Sequence, residues 1–323
     1  MTKKIIFDKM NELYNKKIPF FFIVDYEKTA GEVIPLSELA QYGIYYSAPG
    51  QSNIDFQARH AEALLWRVFP VSKQDYRPQF NKVMQEIKSG NTYLLNLTCA
   101  AKVETNYTLE ELFYAGNAKY KLYYKDHFIH FSPEPFVVTA QDRICSYPMK
   151  GTIDAALEHA EEHIINDTKE LNEQFTIVDL IRNDLSMVAA NVRVDKFRYI
   201  EKITTNNKTL LSVSSKISGT LREEYRHKPG DLFDKLLPAG SICGAPKQKT
   251  IEIIANTETH RRGFYTGVWG IFDGEKIDSC VIIRYLQREN NNLIFKSGGG
   301  ITCNSRLQAE YQEMIDKIYV PVY

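Results

Sequence analysis

The segment SYPMKGTIDA, residues 146–155, sets Lys150 between Pro148 and a Gly151–Thr152 pair, a tight frame for a side chain that is costly to desolvate. With the residues before it, FSPEPFVVTAQDRICSYPMKGT reads as a hairpin, two β-rich runs joined at a Gln141–Asp142 turn. Pairing about that turn puts Glu134 opposite Lys150, to within about one residue of register. Two readings stand side by side: a solvated cross-strand ion pair of little energetic weight, or a carboxyl acid and an amine nucleophile held on one face. A nucleophilic lysine must be neutral when it attacks, so the second reading requires desolvation or a neighbouring base to overcome an ordinary value of about 10.4.

Two acidic pairs share a helical spacing. Glu170 and Glu173 fall near the start of one predicted helix, and Glu310 and Glu313 fall in another near the end of the chain. Residues three apart share a helix face. In RLQAEYQEMIDKIY, Leu307, Tyr311, Met314, Ile315 and Ile318 form an apolar stripe and leave Glu310, Glu313 and Lys317 on another side. Each pair alone reads as a solvated face; if the two faces meet, four carboxylates repel unless a hard cation such as Mg²⁺ bridges them.

Two glycine-bearing segments add backbone donors. GSICGAPKQKTIEIIANTE is a turn running into a helix, with Pro246 near the first turn, where a missing N–H matters least. Its free N–H groups suit a carboxylate or phosphate. It is not a P-loop, because the lysine is not followed by Ser or Thr. KSGGGIT, residues 296–302, follows a strand, and its glycines let the main chain approach a ligand closely. Arg284, ending the apolar run CVIIR, is an awkward buried charge unless it forks onto a carboxylate.

The elements that must carry these residues are mixed. IPFFFIVDYE and YGIYYSAPG read as strands, FQARHAEALLWRVF as a helix, and KQDYRPQFNKVMQEIKSG as a helix capped by Ser72 with Asp75 and stopped by Gly90, its regular part delayed by Pro78. TYLLNLTCAAKV, KLYYKDHFIHF, SCVIIRYL and NLIFKS read as strands, and AALEHAEEHIIND and FTIVDLIRNDLSMV as helices. This order predicts large antiparallel sheets with helices rather than a regular βαβ series. With 323 residues, 44% of them hydrophobic, the chain can bury a large core, and no linker marks a boundary. Forty basic residues balance forty acidic ones, which argues against a nucleic-acid or membrane-surface partner and for a small-molecule substrate. Five scattered cysteines fit buried thiols in a reducing compartment, and the opening MTKKIIFDKM lacks a signal-peptide core, so the expected location is the cytoplasm.

In combination, the blocks SPEPF, PMKGT, KELNEQFTIVDLIRNDL, GSICGAPKQKTIEII, YTGVWGIFDG, VIIRY and SGGGITCNSRLQAEYQEM resemble the chorismate-utilising enzymes: anthranilate synthase large subunits, aminodeoxychorismate synthase component I, and isochorismate and salicylate synthases. The resemblance runs from about residue 75 to 320. It implies an α+β fold of two large facing antiparallel sheets with helices outside, in a single domain with a shortened N-terminal region over residues 1–70. It implies Mg²⁺ at Glu170, Glu173, Glu310 and Glu313. It further implies a chorismate site lined by Thr152, Gly240, Ser241, Gly244, Ala245, Pro246, Lys247, Tyr265, Gly267, Arg284, Gly298, Gly299, Gly300 and Lys317.

Within the family, a lysine in PMKGT resembles aminodeoxychorismate synthase, where anthranilate synthases usually carry alanine. That likeness implies Lys150 as nucleophile and Glu134 as acid in making 4-amino-4-deoxychorismate for the folate route. Ammonia would come free or from a glutamine amidotransferase subunit, component II, since no glutaminase pattern is evident in the chain. Anthranilate synthase and a non-catalytic chorismate-binding subunit are the alternatives. Leu94 stands near where aminating relatives usually have glutamine, and Ser212 where many have histidine; Leu94 and Leu95 also replace the lysine base of the isochorismate and salicylate enzymes. The short N-terminal region implies that tryptophan is not bound.

Overall fold

The computed structural model describes residues 3–55, 62–204 and 209–322. α1 (Lys3–Asn15) leads into β1 (Phe20–Val24) and β2 (Gly31–Pro35), then β3 (Ile44–Ala48), β4 (Gln51–Ser52) and β5 (Trp66–Phe69). α2 (Lys73–Lys88), β6 (Leu94–Thr105) and α3 (Leu109–Ala115) precede β7 (Tyr120–Tyr124) and β8 (Phe128–Ser132). β9 (Pro135–Ala140), β10 (Arg143–Ser146) and β11 (Met149–Asp154) run into α4 (Ala160–Asn166) and α5 (Thr168–Ser186), followed by β12 (Ala189–Thr204) and β13 (Thr209–Leu221). The last third holds α6 (Pro229–Leu236), the single turn α7 (Gly240–Cys243), β14 (Gly244–Ala245), α8 (Lys247–Thr257), β15 (Val268–Phe272), β16 (Lys276–Val281), β17 (Tyr285–Glu289), β18 (Asn292–Thr302) and α9 (Leu307–Asp316).

Among the described residues the strands form two antiparallel sheets of nine strands each. One sheet runs from β12 and β13 through β10 and β11, β9, β16 and β15 to β1 and β2; the other runs from β14, β6 and β18 through β17, β8 and β7 to β3 and β4, with β5 also on β6. The FFFIV run of β1 shows why the sequence lacks simple alternation there. Phe20, Phe22 and Val24 enter a core shared with the helices, whereas Phe21 and Ile23 enter a second core between the sheets. A strand buried on both faces needs apolar residues at every position. Between the sheets, Trp269 of β15 lies 5.8 Å from the ring of Tyr46 on β3 and 6.3 Å from that of Tyr120 on β7. α5 packs on β12 and β13, and α2 and α9 pack on β18, so the helices cover the sheets from outside.

Several local expectations change. KLYYKDHFIHF is a hairpin that turns at Lys125 and Asp126, both at positive φ, 54° and 55°, with the His127 N–H donating to the Tyr124 carbonyl at 2.9 Å. SCVIIRYL is two strands in different sheets: β16 ends at Val281, and Arg284, at φ 51°, sits where the chain crosses over to β17. α2 starts at Lys73 with Ser72 accepting from the Asp75 N–H, as expected, but runs straight through Pro78. FQARHAEALLWRVF is not a helix where described: Trp66–Phe69 pairs with β6, and residues 56–61 of that segment lie outside the described residues. AALEHAEEHIIND is helical only from Ala160 to Asn166. β9 and β10 form the expected hairpin, Arg143 opposite Ala140, but their ladder stops at Cys145–Val138. β11 then turns to β13, so Glu134 and Lys150 are not ladder partners.

Candidate active site

Glu134 sits in the link between β8 and β9, half-buried, with its backbone carbonyl accepting from Val281 at 3.3 Å. Burial raises its carboxyl above the ordinary value; the Ser241 hydroxyl and the ammonium groups of Lys150 and Lys317 oppose that rise. Lys150 projects from β11 with its Nζ 3.7 Å from Glu173 Oε2. Lys317, at the end of α9, donates to Glu313 Oε1 at 2.7 Å and to the Gly298 carbonyl at 3.1 Å. Acids and amines thus alternate across the gap: Glu173, Lys150, Glu134, Lys317, Glu313. The acid and amine expected from the hairpin lie near enough for the Lys150 ammonium to act on Glu134, although Lys150 is ion-paired to Glu173; both sheets and two helices, not one ladder, bring them there.

The glycine run is strand, not loop. Gly298, Gly299 and Gly300 lie in β18 opposite Thr98, Leu97 and Asn96 of β6. On the other edge, β17 pairs only as far as Lys296, which leaves the Gly298–Gly300 edge beyond the ladder. A Cβ on Gly299 would stand 3.4 Å from Glu313 Oε1 and 3.7 Å from both Glu310 Oε2 and Lys317 Nζ, ordinary contact distances, so those head groups pack directly over the glycine. A Cβ on Gly298 would collide with the Leu97 carbonyl at 2.3 Å. Leu94 flanks Gly300, and Leu95 points into the core. Glu170 leans on Gly151, whose φ is +72°, and Ser212 donates to the Gly151 carbonyl at 3.3 Å. Thr152 pairs with Ser212 along the backbone; its side chain lies outside the described residues.

Arg284 and Tyr265 form a second group. The guanidinium of Arg284 lies 4.7 Å from the Tyr319 ring, and its buried Nε has no hydrogen-bond partner among the described residues. An unpartnered cationic donor of this kind fits an incoming carboxylate. Tyr265 is buried beside it; burial raises its phenol, and the charges of Arg262 and Arg284 oppose that rise.

Other expected contacts turn inward. Lys247 donates to Asp184 Oδ2 and to the Leu236 carbonyl, both at 2.9 Å, and the Gly240 N–H donates to the same Asp184 oxygen at 3.0 Å. Asp184 thus takes two of the donors expected to face the substrate, the Gly240 N–H and the Lys247 ammonium. Gly244 and Ala245 form β14 on Leu95 and Leu94, and Pro246 precedes the first residue of α8. Gly267 bonds internally to Phe264 and Ile282, and a Cβ there would strike the Val24 carbonyl at 2.4 Å. Asp184 was missed at the sequence level, although it stands in the LIRNDL block; nothing in helical spacing marks it as facing Lys247.

Among the described residues no group of three or more His, Cys, Asp or Glu is placed as a metal site. The glutamates stand as pairs, and their carboxylate oxygens are the donors that a hard cation takes, so the donor chemistry fits Mg²⁺.

Residues 39–322 match the family model described as chorismate binding enzyme. The chain belongs to the chorismate binding enzyme family. It is 46% identical to an uncharacterized PabA-like protein of Pasteurella multocida, over 100% of both chains. It is 29% identical to aminodeoxychorismate synthase component 1 of Escherichia coli, over 77% of this chain and 57% of that one. Among solved structures, anthranilate synthase component I from Streptococcus pneumoniae shares the fold, with a TM-score of 0.66 and 24% identity over 81% of this chain and 60% of that one.

Proposed function

We propose that this member of the family is an aminodeoxychorismate synthase component I, converting chorismate and ammonia to 4-amino-4-deoxychorismate. The observation that carries this reading is the placing of Lys150 and Glu134 in one charged cluster, where the ammonium acts on the carboxyl and burial favours the protonated form of Glu134. In the proposed sequence, the free amine of Lys150 adds to carbon 2 of chorismate as the bond from carbon 4 to its hydroxyl breaks. Glu134 gives its proton to that hydroxyl, which leaves as water. Ammonia then adds at carbon 4 and expels Lys150. Arg284 and the Gly298–Gly300 edge beyond the β17 ladder would orient the carboxylates of the substrate.

Glu170, Glu173, Glu310 and Glu313 would hold Mg²⁺, which when bound supplies positive charge for a substrate carboxylate. Ammonia would be taken free or delivered by a glutamine amidotransferase subunit. Purified chain incubated with chorismate, Mg²⁺ and an ammonium salt is expected to yield 4-amino-4-deoxychorismate by mass spectrometry. Anthranilate with pyruvate would instead establish the anthranilate synthase reading, and unchanged chorismate the non-catalytic one. Turnover with glutamine alone, by chain free of contaminating glutaminase, would refute the need for a separate nitrogen donor.

A further inference from the structure

Glu258 and Arg262 form an ion pair that no step of the proposed chemistry uses, with side chains only 3% and 2% exposed. Every guanidinium N–H of Arg262 has an acceptor. Nε donates to Glu258 Oε2 at 2.9 Å, and Nη2 to Glu258 Oε1 at 2.7 Å and the Asn96 carbonyl at 2.6 Å. Nη1 donates to the Ile242 carbonyl at 2.8 Å and to Thr266 Oγ1 at 3.5 Å. Glu258 Oε1 also accepts from the N–H and the hydroxyl of Thr98, both at 2.8 Å. The Tyr26 ring covers the guanidinium at 4.6 Å. Lys296 donates to the Arg261 and Arg262 carbonyls at 2.8 and 2.9 Å, pinning the same segment from the β18 side.

Stability alone gives little reason for such a pair, because apolar residues of similar volume usually serve a core as well or better. What the pair grips is informative. Asn96 lies opposite Gly300 in the β6–β18 ladder. Ile242 follows Ser241, whose hydroxyl acts on Glu134. Thr266 follows Tyr265. Asn96 and Ile242 are held by their backbone carbonyls and Thr266 by its side-chain hydroxyl; each belongs to a different wall of the candidate site, and one planar, five-donor cation spans all three.

We propose that the Glu258–Arg262 pair is a positioning element that holds the Asn96–Gly300 ladder, the Gly240–Ala245 turn and the Tyr265–Thr266 segment in register. Its effect on catalysis rests on the chorismate reading of the cleft, whereas its effect on backbone order does not. Removing both charges avoids stranding either one, so Glu258→Leu/Arg262→Met is the main variant, and Arg262→Lys, which keeps the charge but loses the fork, is the second. Hydrogen–deuterium exchange on the full chain without substrate reads the positioning directly. Loss of the held carbonyls is expected to speed amide exchange about tenfold over residues 240–245 and 298–300 in either folded variant, with cooperative unfolding retained. In turnover, KM for chorismate is expected to rise about tenfold with KM for ammonia little changed. Wild-type exchange over both segments in Arg262→Lys, or in the double variant, overturns the positioning role. A wild-type chain that leaves chorismate unchanged overturns the functional reading instead, and the exchange result still decides the positioning.

Discussion

Glu134→Gln isolates the proton from everything else the side chain does. The amide keeps the size of the carboxyl and can still accept from Ser241, but it cannot give a proton to a departing hydroxyl. A positioned general acid contributes about 10²- to 10⁴-fold, so kcat should fall by that factor, about 2.7 to 5.4 kcal/mol in barrier, with KM for chorismate little changed. The pH dependence follows from the same burial. Because the folded carboxyl titrates above its ordinary value of 4.5, the acid stays protonated further up the pH scale, and wild-type kcat should fall as pH rises through the raised value. The stability consequence has a definite sign. A carboxyl raised by folding favours the native state below its unfolded value, and that contribution is lost as pH rises through the folded one. Glutamine has no such loss, so thermal melts of the variant should gain on wild type from about pH 4 upward and coincide with it below. The assays are initial rates of 4-amino-4-deoxychorismate formation and melting curves over the same pH range. A variant that keeps more than about a tenth of wild-type kcat would falsify the assignment of Glu134 as the acid.

Lys150→Ala should lose a covalent chorismate adduct that wild type accumulates when ammonia is withheld, and should shift any remaining amination toward carbon 2; intact-mass measurement and peptide mapping read the first, product analysis the second. Wild-type rates in that variant would return Lys150 to a surface turn. Glu313→Ala should abolish Mg²⁺-dependent activity, since it removes a carboxylate from the pair over Gly299, and activity with unchanged Mg²⁺ dependence would remove the metal assignment. Asp184→Ala removes the shared acceptor of the half-buried Lys247 ammonium and the buried Gly240 N–H, and should destabilise the chain by about 1 to 3 kcal/mol in urea unfolding; a change below about 0.5 kcal/mol would show that the pair is solvated in solution. Tryptophan should give no heat in titration calorimetry; saturable binding at micromolar concentration would contradict this.

Much of the candidate site was legible because its residues sit in short, rigid frames. Glu310, Glu313 and Lys317 share a face by helical spacing alone, and the apolar stripe beside them is buried or half-buried through Leu307, Tyr311, Met314, Ile315 and Ile318 as that spacing requires. The β9–β10 hairpin followed from its turn residues, and the glycines of β18, read as a close approach of main chain to ligand, lie in a strand with the Glu310, Glu313 and Lys317 head groups packed over Gly299. Local pattern failed where two states have the same composition. VIIRY is apolar whether it is one strand or two, and only a neighbouring sheet decides that Arg284 takes a left-handed conformation at the crossover.

The sequence by itself determined which side chains carry charge or proton chemistry, which of them share a helix face or a strand, and that the strands pair antiparallel, because those properties depend on residues close in the chain. Tertiary structure alone decided which charges meet which. β11 leaves the hairpin for β13, so the nearness of Lys150 to Glu134 depends on how both sheets and two helices close on one another. Lys247 looks like a substrate ligand until α5 delivers Asp184 to it from 63 residues away. Glu258 and Arg262 look like an ordinary four-residue pair until the carbonyls of Asn96 and Ile242 arrive at the guanidinium. A buried charge settles on the partners that the closed fold brings within hydrogen-bond reach, and chain spacing carries no information about partners that are distant in sequence.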